Sequence, residues 1–571
     1  MNDQFEVMGA LGRLLDEAGY AELYRAVAGD RLPAVDAAAA RRTVSLLPSP
    51  EREMASAFIF GDDVDVMHGD PSSVRPGAAG RSLAISASDG AKPTDRGPGI
   101  PGNPEGHLPE ARVVESFREG FLEVTDRLVQ VGLAVDGSSG RHTTGWIVVP
   151  YNGGYLLVDR FAPYGGGDVH VYIGNDSLML GSLVRCPQGA KLLDLGAGSG
   201  IFGLLSAGAG NHATLVDIDA RSIAFCRLNE ALNRSIGRLD HPVRILQGDL
   251  FEPVQGERFD VIVTLAPYVP SISIGQVPLF ADGGEDGLAV LGRVLDEAPA
   301  HLEEGGELLA LMQVMIGPDR RPLVCDMLDD ILVREAELGR TMEVRMTLHD
   351  VHYLWPYALD LAGQLAMEQG AQVASAETET GSRMAGNRQP ADQVEMAERM
   401  VASWRGMGVS CVATALLRLR HTGRATRTDD GSGEGSGEGS PKRGAHGRDA
   451  TRDAGGRPVD GSRDGVGQLE LVIVDVPWLP SDIPVLRGEG LAGPSHVLTV
   501  SAPGAGTYQV DVPTAKLLGA CDGRRSLSEI VPEVWPEGSS SKSMSLLDVA
   551  MEKCARLEKA GMLARRIGEV H

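Results

Sequence analysis

A chain of 571 residues with a hydrophobic fraction of 43% exceeds what one core organises and predicts two to four domains. The net charge of −25 argues against a broad duplex nucleic-acid footprint, which needs Lys and Arg to displace counterions from phosphates. Six scattered cysteines without C-x-x-C spacing argue against a disulfide scaffold or a zinc site, and no apolar run reaches the ~18–20 residues that span a bilayer, so the reading is a cytoplasmic protein with no metal and no membrane contact.

Aromatic residues make up only 5% of the chain, while Gly (73) and Pro (33) are abundant, so extended segments are expected between folded ones. The start, M-N-D-Q-F-E-V, lacks a basic-then-apolar targeting pattern. Phe5, Met8, Leu11, Leu14, Leu15, Tyr20, Leu23 and Tyr24 recur at helical spacing over 4–28. Helical stretches are also read over 33–47, from 49–53 onward and over 109–132, with a Gly/Pro/Ser/Asp-rich insertion at about 69–108. Strands at 145–150 and 154–160 flank the turn Tyr151-Asn152-Gly153. Helices followed by a short hairpin describe a small helical, winged-helix-like N-terminal domain over 1–160.

From 161 to 422 apolar strand runs alternate with amphipathic helices. Strands are expected at 191–195, 213–217, 243–247, 259–264, 307–314 and 409–419. Helices are expected from 201, over 220–233, 287–303 and 393–405. This alternation specifies an α/β, doubly wound parallel sheet, with ligands beyond the carboxyl ends of its strands. Before the first of these strands, His170 to Leu180 reads as a loop entering a helix, with Asp176 or Ser177 as N-cap. A low-complexity linker follows over 423–467. The tail, 468–571, regains strands (469–475, 497–511) and helices (513–521, 526–534, 544–561) and reads as a winged-helix-like domain.

The densest signal is K-L-L-D-L-G-A-G-S-G-I-F-G, Lys191 to Gly203. An apolar strand ends in Asp194, Gly196, Gly198 and Gly200 follow at alternate positions, and a helix begins at once. Ile201 occupies the place where G-x-G-x-x-G needs glycine, and no P-loop pattern is present. Asp217 ends the next strand, about twenty residues past the first glycine, the interval at which a carboxylate meets ribose hydroxyls in such folds. Asp249, in Q-G-D-L-F, follows the third strand. Asp219 reads as the N-cap of the next helix.

The D-x-G-x-G-x-G spacing, with carboxylates after the next two strands, resembles class I S-adenosylmethionine (SAM) methyltransferases, whose sheet is Rossmann-like. H-V-Y-I-G-N-D-S-L-M-L and A-D-G-G-E-D-G-L-A-V-L-G, from Ala281, resemble segments of the release-factor (protein-glutamine N5) and small-domain methyltransferases. The resemblance implies SAM as cofactor. It implies contacts from Asp194, Gly196, Gly198, Gly200 and Asp217, from Asp249 and the Leu250 amide at the adenine, and from Leu265 at the fourth strand's end. It also implies catalytic roles for Pro267 and Tyr268.

The chain departs from that group at the fourth strand. V-T-L-A-P-Y-V-P, Val263 to Pro270, stands where the group has [ND]-P-P-[YF]. Leu265 replaces the residue whose side chain accepts a hydrogen bond from the nitrogen to be methylated, and leucine offers no acceptor. The reading is therefore a methyltransferase acting on a protein, peptide or small molecule. The alternative is a SAM- or S-adenosylhomocysteine-binding module with little catalysis. Adenine-N6 methylation of nucleic acid comes last, because that motif and a basic groove are missing. Asp282, Glu285 and Asp286 read as part of a loop packed on the sheet edge.

Overall fold

The computed structural model describes residues 2–28, 58, 115–137, 140–143, 145–159, 170–239, 241–270, 281–363, 365, 390–424, 468–473, 483–486, 491–492, 497–502, 506–521, 523–534, 546–559 and 563–566. The helices read at 33–47 and from 49, the 69–108 insertion and nearly all of the 423–467 linker lie outside these residues. The chain divides into two compact units, Met1–Tyr155 and Leu156–His571.

In the first unit the helical pattern of 4–28 is two helices, α1 (Asn2–Glu17) and α2 (Tyr20–Ala28), separated at Gly19, whose φ is +66°. They are followed by α3 (Glu115–Gln130), the hairpin β1 (Ala134–Gly137) and β2 (Gly140–Thr143), and β3 (Trp146–Tyr151). Tyr20 is buried and donates its hydroxyl to the Val148 carbonyl at 2.8 Å, while Phe58 stacks on Trp146. The division between the units falls inside β4 (Gly154–Asp159).

The second unit is built on an eight-stranded sheet. Five parallel strands stand in the order β7 (Arg244–Gln247), β6 (His212–Asp217), β5 (Lys191–Leu195), β8 (Phe259–Thr264), β9 (Leu302–Ile316). Beyond β9 lies the antiparallel β11 (Cys411–Arg424), then β10 (Arg340–Tyr353), antiparallel to β11. The first strands are buried on both faces, which is why Val261 to Val263 read as an unbroken apolar run and Leu192, Leu193 and Leu195 as one interrupted only by Asp194. The connecting helices are α4 (Asn175–Leu183), α5 (Ile201–Gly208), α6 (Ala220–Ser235), α7 (Ala289–Glu297), α8 (Val324–Glu337) and α9 (Pro390–Gly406). The doubly wound expectation thus holds. The order reverses between β5 and β8, so the crevice of the fold lies at their carboxyl ends.

Two expectations change. The helix read as beginning with a cap at Asp176 or Ser177 begins at Asn175 with Gly174 as N-cap, and Ser177 instead takes the Gly174 N–H onto its hydroxyl. The strand at the head of the tail, β12 (Gln468–Ile473), pairs in parallel with β10 and forms the eighth strand of the large sheet. The tail helices α10 (Val512–Ala520), α11 (Leu527–Val534) and α12 (Leu546–Lys559) bury Leu517, Ile530, Met551 and Cys554 in the same core as Met346, Leu348 and Leu417 of the sheet. Arg405 of α9 pairs with the buried Asp548 of α12 at 2.7 Å.

Candidate functional site

The turn after β5 follows from the geometry glycine permits. Gly196, Gly198 and Gly200 have φ of +68°, +53° and +78°, in the left-handed region that L side chains avoid. A Cβ on Gly196 or Gly198 would meet nothing within 4 Å, so the backbone there faces open space. A Cβ on Gly200 would lie 2.8 Å from Leu215 Cδ2, so that glycine serves the close approach of α5 to β6. The turn is also tied to β6, because the Gly196 and Ala197 N–H groups both donate to the Val216 carbonyl.

Gly200 caps α5 without a side chain, so the first helical N–H groups need another acceptor. Asp194 supplies it. Its Oδ2 accepts from Gly203 N at 2.9 Å, while Oδ1 is buried with no partner. Burial, with the nearby Asp217 charge, pushes its carboxyl up to about 8. Asp217, at the tip of β6, accepts from Gly198 N at 2.8 Å and from Asp219 N at 2.9 Å, and burial raises its pKa too. Asp219 caps α6 as expected, accepting from Ser222 N at 3.0 Å.

Asp249 stands at the same sheet edge as Asp217. Strands β6 and β7 are parallel neighbours, and Gly248 N donates to the Asp217 carbonyl at 3.0 Å. The Asp249 carboxylate is held bidentately by Arg293 of α7, at 2.8 and 3.1 Å, a partner that sequence reasoning missed. Leu250 follows with φ +47°, a non-glycine residue in left-handed backbone, and packs against the sheet core.

After β8, Thr264 ties the strand end to the Leu195 carbonyl at 2.9 Å, and Leu265 and Pro267 are half-buried around the buried Ala266. Tyr268 donates its hydroxyl to Asp176 Oδ2 at 2.9 Å, across 92 residues. Burial and that carboxylate hold the Tyr268 phenol well above its usual range, so it remains a donor. The 281–287 segment closes on the Tyr268 backbone. Val269 N donates to the Ala281 carbonyl, and a Cβ on Gly287 would lie 2.5 Å from the Tyr268 carbonyl oxygen. Asp282 and Asp286 accept from the N–H groups of Gly284 and Leu288, as loop residues do.

The segment before α4 is pinned separately. Buried Asp159 accepts from the His170 and Val171 N–H groups at 2.8 Å and from Arg221 Nε, and His170 Nδ1 lies 3.4 Å from Asp219 Oδ2. The structure therefore brings Asp194, the three glycines, Asp217 and Asp249 to one sheet edge, with Tyr268 and Asp176 joined after β8. Among the described residues no group of three His, Cys, Asp or Glu is placed to hold a metal ion, and no helix is long and apolar enough to cross a membrane.

Residues 173–323 match the family described as the methyltransferase small domain. The chain is 36% identical over 140 residues to the ribosomal protein uL3 glutamine methyltransferase of Bradyrhizobium diazoefficiens, which is 23% of this chain and 43% of that one. It is 34% identical over 170 residues to the release factor glutamine methyltransferase of Gloeobacter violaceus, 28% of this chain and 56% of that one. To the uL3 glutamine methyltransferase of Bordetella pertussis it is 29% identical over 220 residues, 35% of this chain and 66% of that one. The chain thus spans about half the length of the first two relatives. Over residues 173–323 the chain resembles the methyltransferase small domain and the glutamine methyltransferases of ribosomal protein uL3 and release factors.

Proposed function

We propose that this protein transfers a methyl group from SAM to a protein acceptor in the cytoplasm. The observation that carries the reading is the turn at 196–200, whose backbone faces open space between two carboxylates at neighbouring strand tips. The residues fit the cofactor. The unpartnered Asp194 Oδ1 is a buried polar atom beside the turn, and Gly196 and Gly198 leave room for a ligand against the main chain. In this reading Gly196, Gly198 and Gly200 shape the cradle, Asp217 takes the ribose hydroxyls, and Asp249 with the Leu250 amide faces the adenine. When bound, SAM supplies a sulfonium-activated methyl, so the protein needs chiefly to align the acceptor and exclude water. Tyr268, fixed by Asp176 and by the 281–287 loop, forms the wall against which the acceptor packs, with Pro267 and Leu265 beside it.

Leu265 favours a second reading, a SAM-binding module with little catalysis, since its side chain accepts no hydrogen bond. Calorimetry with SAM and S-adenosylhomocysteine, paired with transfer of labelled methyl into a cell extract, decides between them. Binding and protein labelling that both fail in Asp217→Ala support the enzyme. Binding without labelling supports the module. Absence of binding refutes both.

A further inference from the structure

Strands β10 and β11 are antiparallel neighbours, which a tight turn can join. This chain instead leaves β10 at Tyr353, runs helical over 354–363 and returns through α9 to enter β11 at Cys411. Helices are not needed to join the two strands. Strand direction sets where this insert stands. Strands β9 and β10 are each antiparallel to β11, and β9, β8 and β5 are parallel, so β10 ends at the sheet edge that carries the glycine turn. There Leu354, Ala358, Met400 and Trp404 of the insert share one buried cluster with Met315 of β9 and Val412 of β11.

Gln313 joins the insert to the segment after β8. The last paired residues of β8 and β9 are Thr264 and Ala310, and β9 continues to Ile316. Gln313 thus stands roughly 10 Å along β9 beyond the tip of β8, where Leu265 to Tyr268 leave the sheet. Side chains alternate along a strand. Met312, Val314 and Ile316 lie in the main core and Met315 in the insert's cluster, so Gln313 is on the insert's face. It is half-buried and takes the Tyr357 hydroxyl on Oε1. Burial, with the Asp360 charge, holds the Tyr357 phenol above its usual range, so it remains a donor. The Tyr357 ring stands 5.6 Å from that of Trp404 and 5.8 Å from that of His352. Tyr357 packs with Val269 against the insert's cluster, and its influence reaches the Tyr268 phenol. The Gln313–Tyr357 pair therefore adjoins the segment that carries Leu265, Pro267 and Tyr268.

An amide that accepts through its oxygen keeps two N–H donors for another partner. Leu265 lacks the side-chain oxygen that would hold the acceptor's nitrogen. A donor beside it can hold the acceptor's oxygen instead and orient the same group. We propose that Gln313 donates a hydrogen bond from Nε2 to a carbonyl oxygen of the acceptor side chain, with Tyr357 as the residue that positions it. The chemistry selected is a carbonyl oxygen beside the methylated atom, as in carboxamides and carboxylates. A lysine-type ammonium carries donors only and gains nothing from this contact. The inference rests on the methyltransferase reading and adds the residue that chooses the acceptor.

The test uses the full chain, labelled SAM and a cell extract as acceptor, with SAM affinity measured by calorimetry. Gln313→Glu keeps an oxygen for Tyr357 and removes the N–H donors, and Gln313→Met removes both. Each is expected to bind SAM within about twofold of the parent and to label the extract roughly tenfold more slowly. Tyr357→Phe is expected to lose about threefold alone and nothing further in the Gln313→Met background, because it acts through Gln313. Additive losses would overturn the positioning role of Tyr357. The chemistry of the label is a separate readout. Mild alkali releases methanol from a methylated carboxylate, acid hydrolysis releases methylamine from a methylated carboxamide, and methyl-lysine survives both. Methanol or methylamine supports the proposal. Methyl-lysine, labelling unchanged in Gln313→Glu, or loss of SAM binding in both Gln313 variants overturns it and leaves the methyltransferase reading in place. A parent that binds SAM but labels nothing overturns that reading and, with it, the assignment of Gln313.

Discussion

Asp194 is the carboxylate whose protonation the fold controls most strongly, and its substitution gives a signed prediction. Its ordinary value is 3.8, and burial pushes it up to about 8 in the native chain. Across that interval the native protein holds a proton that the unfolded chain releases. Stability from this group is thus fully present below about pH 4 and is lost as pH rises to about 8. Each pH unit changes the balance by ~1.4 kcal/mol, so between pH 5 and pH 7.5 the loss is of the order of 3 kcal/mol. Asp194→Asn keeps an oxygen for Gly203 N and cannot ionise. Its amide imposes an offset that does not vary with pH. Urea unfolding of both proteins at half-unit steps from pH 5 to pH 8.5 isolates the effect, because the other groups titrate in both. The variant should gain ~3 kcal/mol relative to the parent over the rise to pH 7.5 and level off above pH 8. Parallel curves would show that Asp194 is charged in the native protein at neutral pH, and the argument from its burial would fail.

Arg221→Ala leaves the buried Asp159 with backbone donors only, and breaking such a pair costs ~3 kcal/mol. Urea denaturation should read that loss, with partial recovery in Arg221→Lys, and a loss below ~1 kcal/mol would mean that Asp159 is not desolvated. The exposed Arg293–Asp249 pair should behave differently. Either alanine substitution changes stability by less than ~1 kcal/mol. Calorimetry should find SAM affinity lowered roughly tenfold in Asp249→Ala and undiminished in Arg293→Ala. Equal losses in both would assign Asp249 to the surface ion pair alone.

The parallel half of the sheet was readable because strands buried on both faces write themselves as apolar runs. Residues 259–264, read from F-D-V-I-V-T, are the strand observed. Between β9 and 373 the sequence offers no continuous apolar run of typical strand length, yet α8 and β10 lie there. The signal for β10 was present in another form: Met342, Val344, Met346 and Leu348 are buried and alternate with Glu343, Arg345 and Thr347. That period of two marks a strand with one face on the core, which a search for continuous apolar runs passes over. The run at 469–475 reads as a strand of a tail domain, whereas β12 joins the large sheet. A Gly/Ser-rich linker marks where the chain leaves a folded body, but nothing in its composition says where the chain returns. Pairing of Leu469 with Val344 and of Leu471 with Met346 is decided by register, 125 residues back along the chain.

The two halves of the candidate site differ in the same way. The half made of main chain obeys spacing. A parallel sheet brings every strand tip to one edge, so a glycine turn after β5 and carboxylates after β6 and β7 meet there whatever their side chains do next. The half made of side chains does not. In the sequence Asp176 reads as a helix cap or as part of a family-like segment, and its hydrogen bond to Tyr268 depends on how the first turn of α4 and a strand end, 92 residues apart, are packed together. Arg293 is one arginine among many until α7 turns it toward Asp249. The change at Leu265 belongs to the side-chain half as well. A lost acceptor can be seen in one line of sequence, whereas what stands in front of Leu265 can be found only in three dimensions. A degenerate motif alone is therefore weak evidence of lost activity.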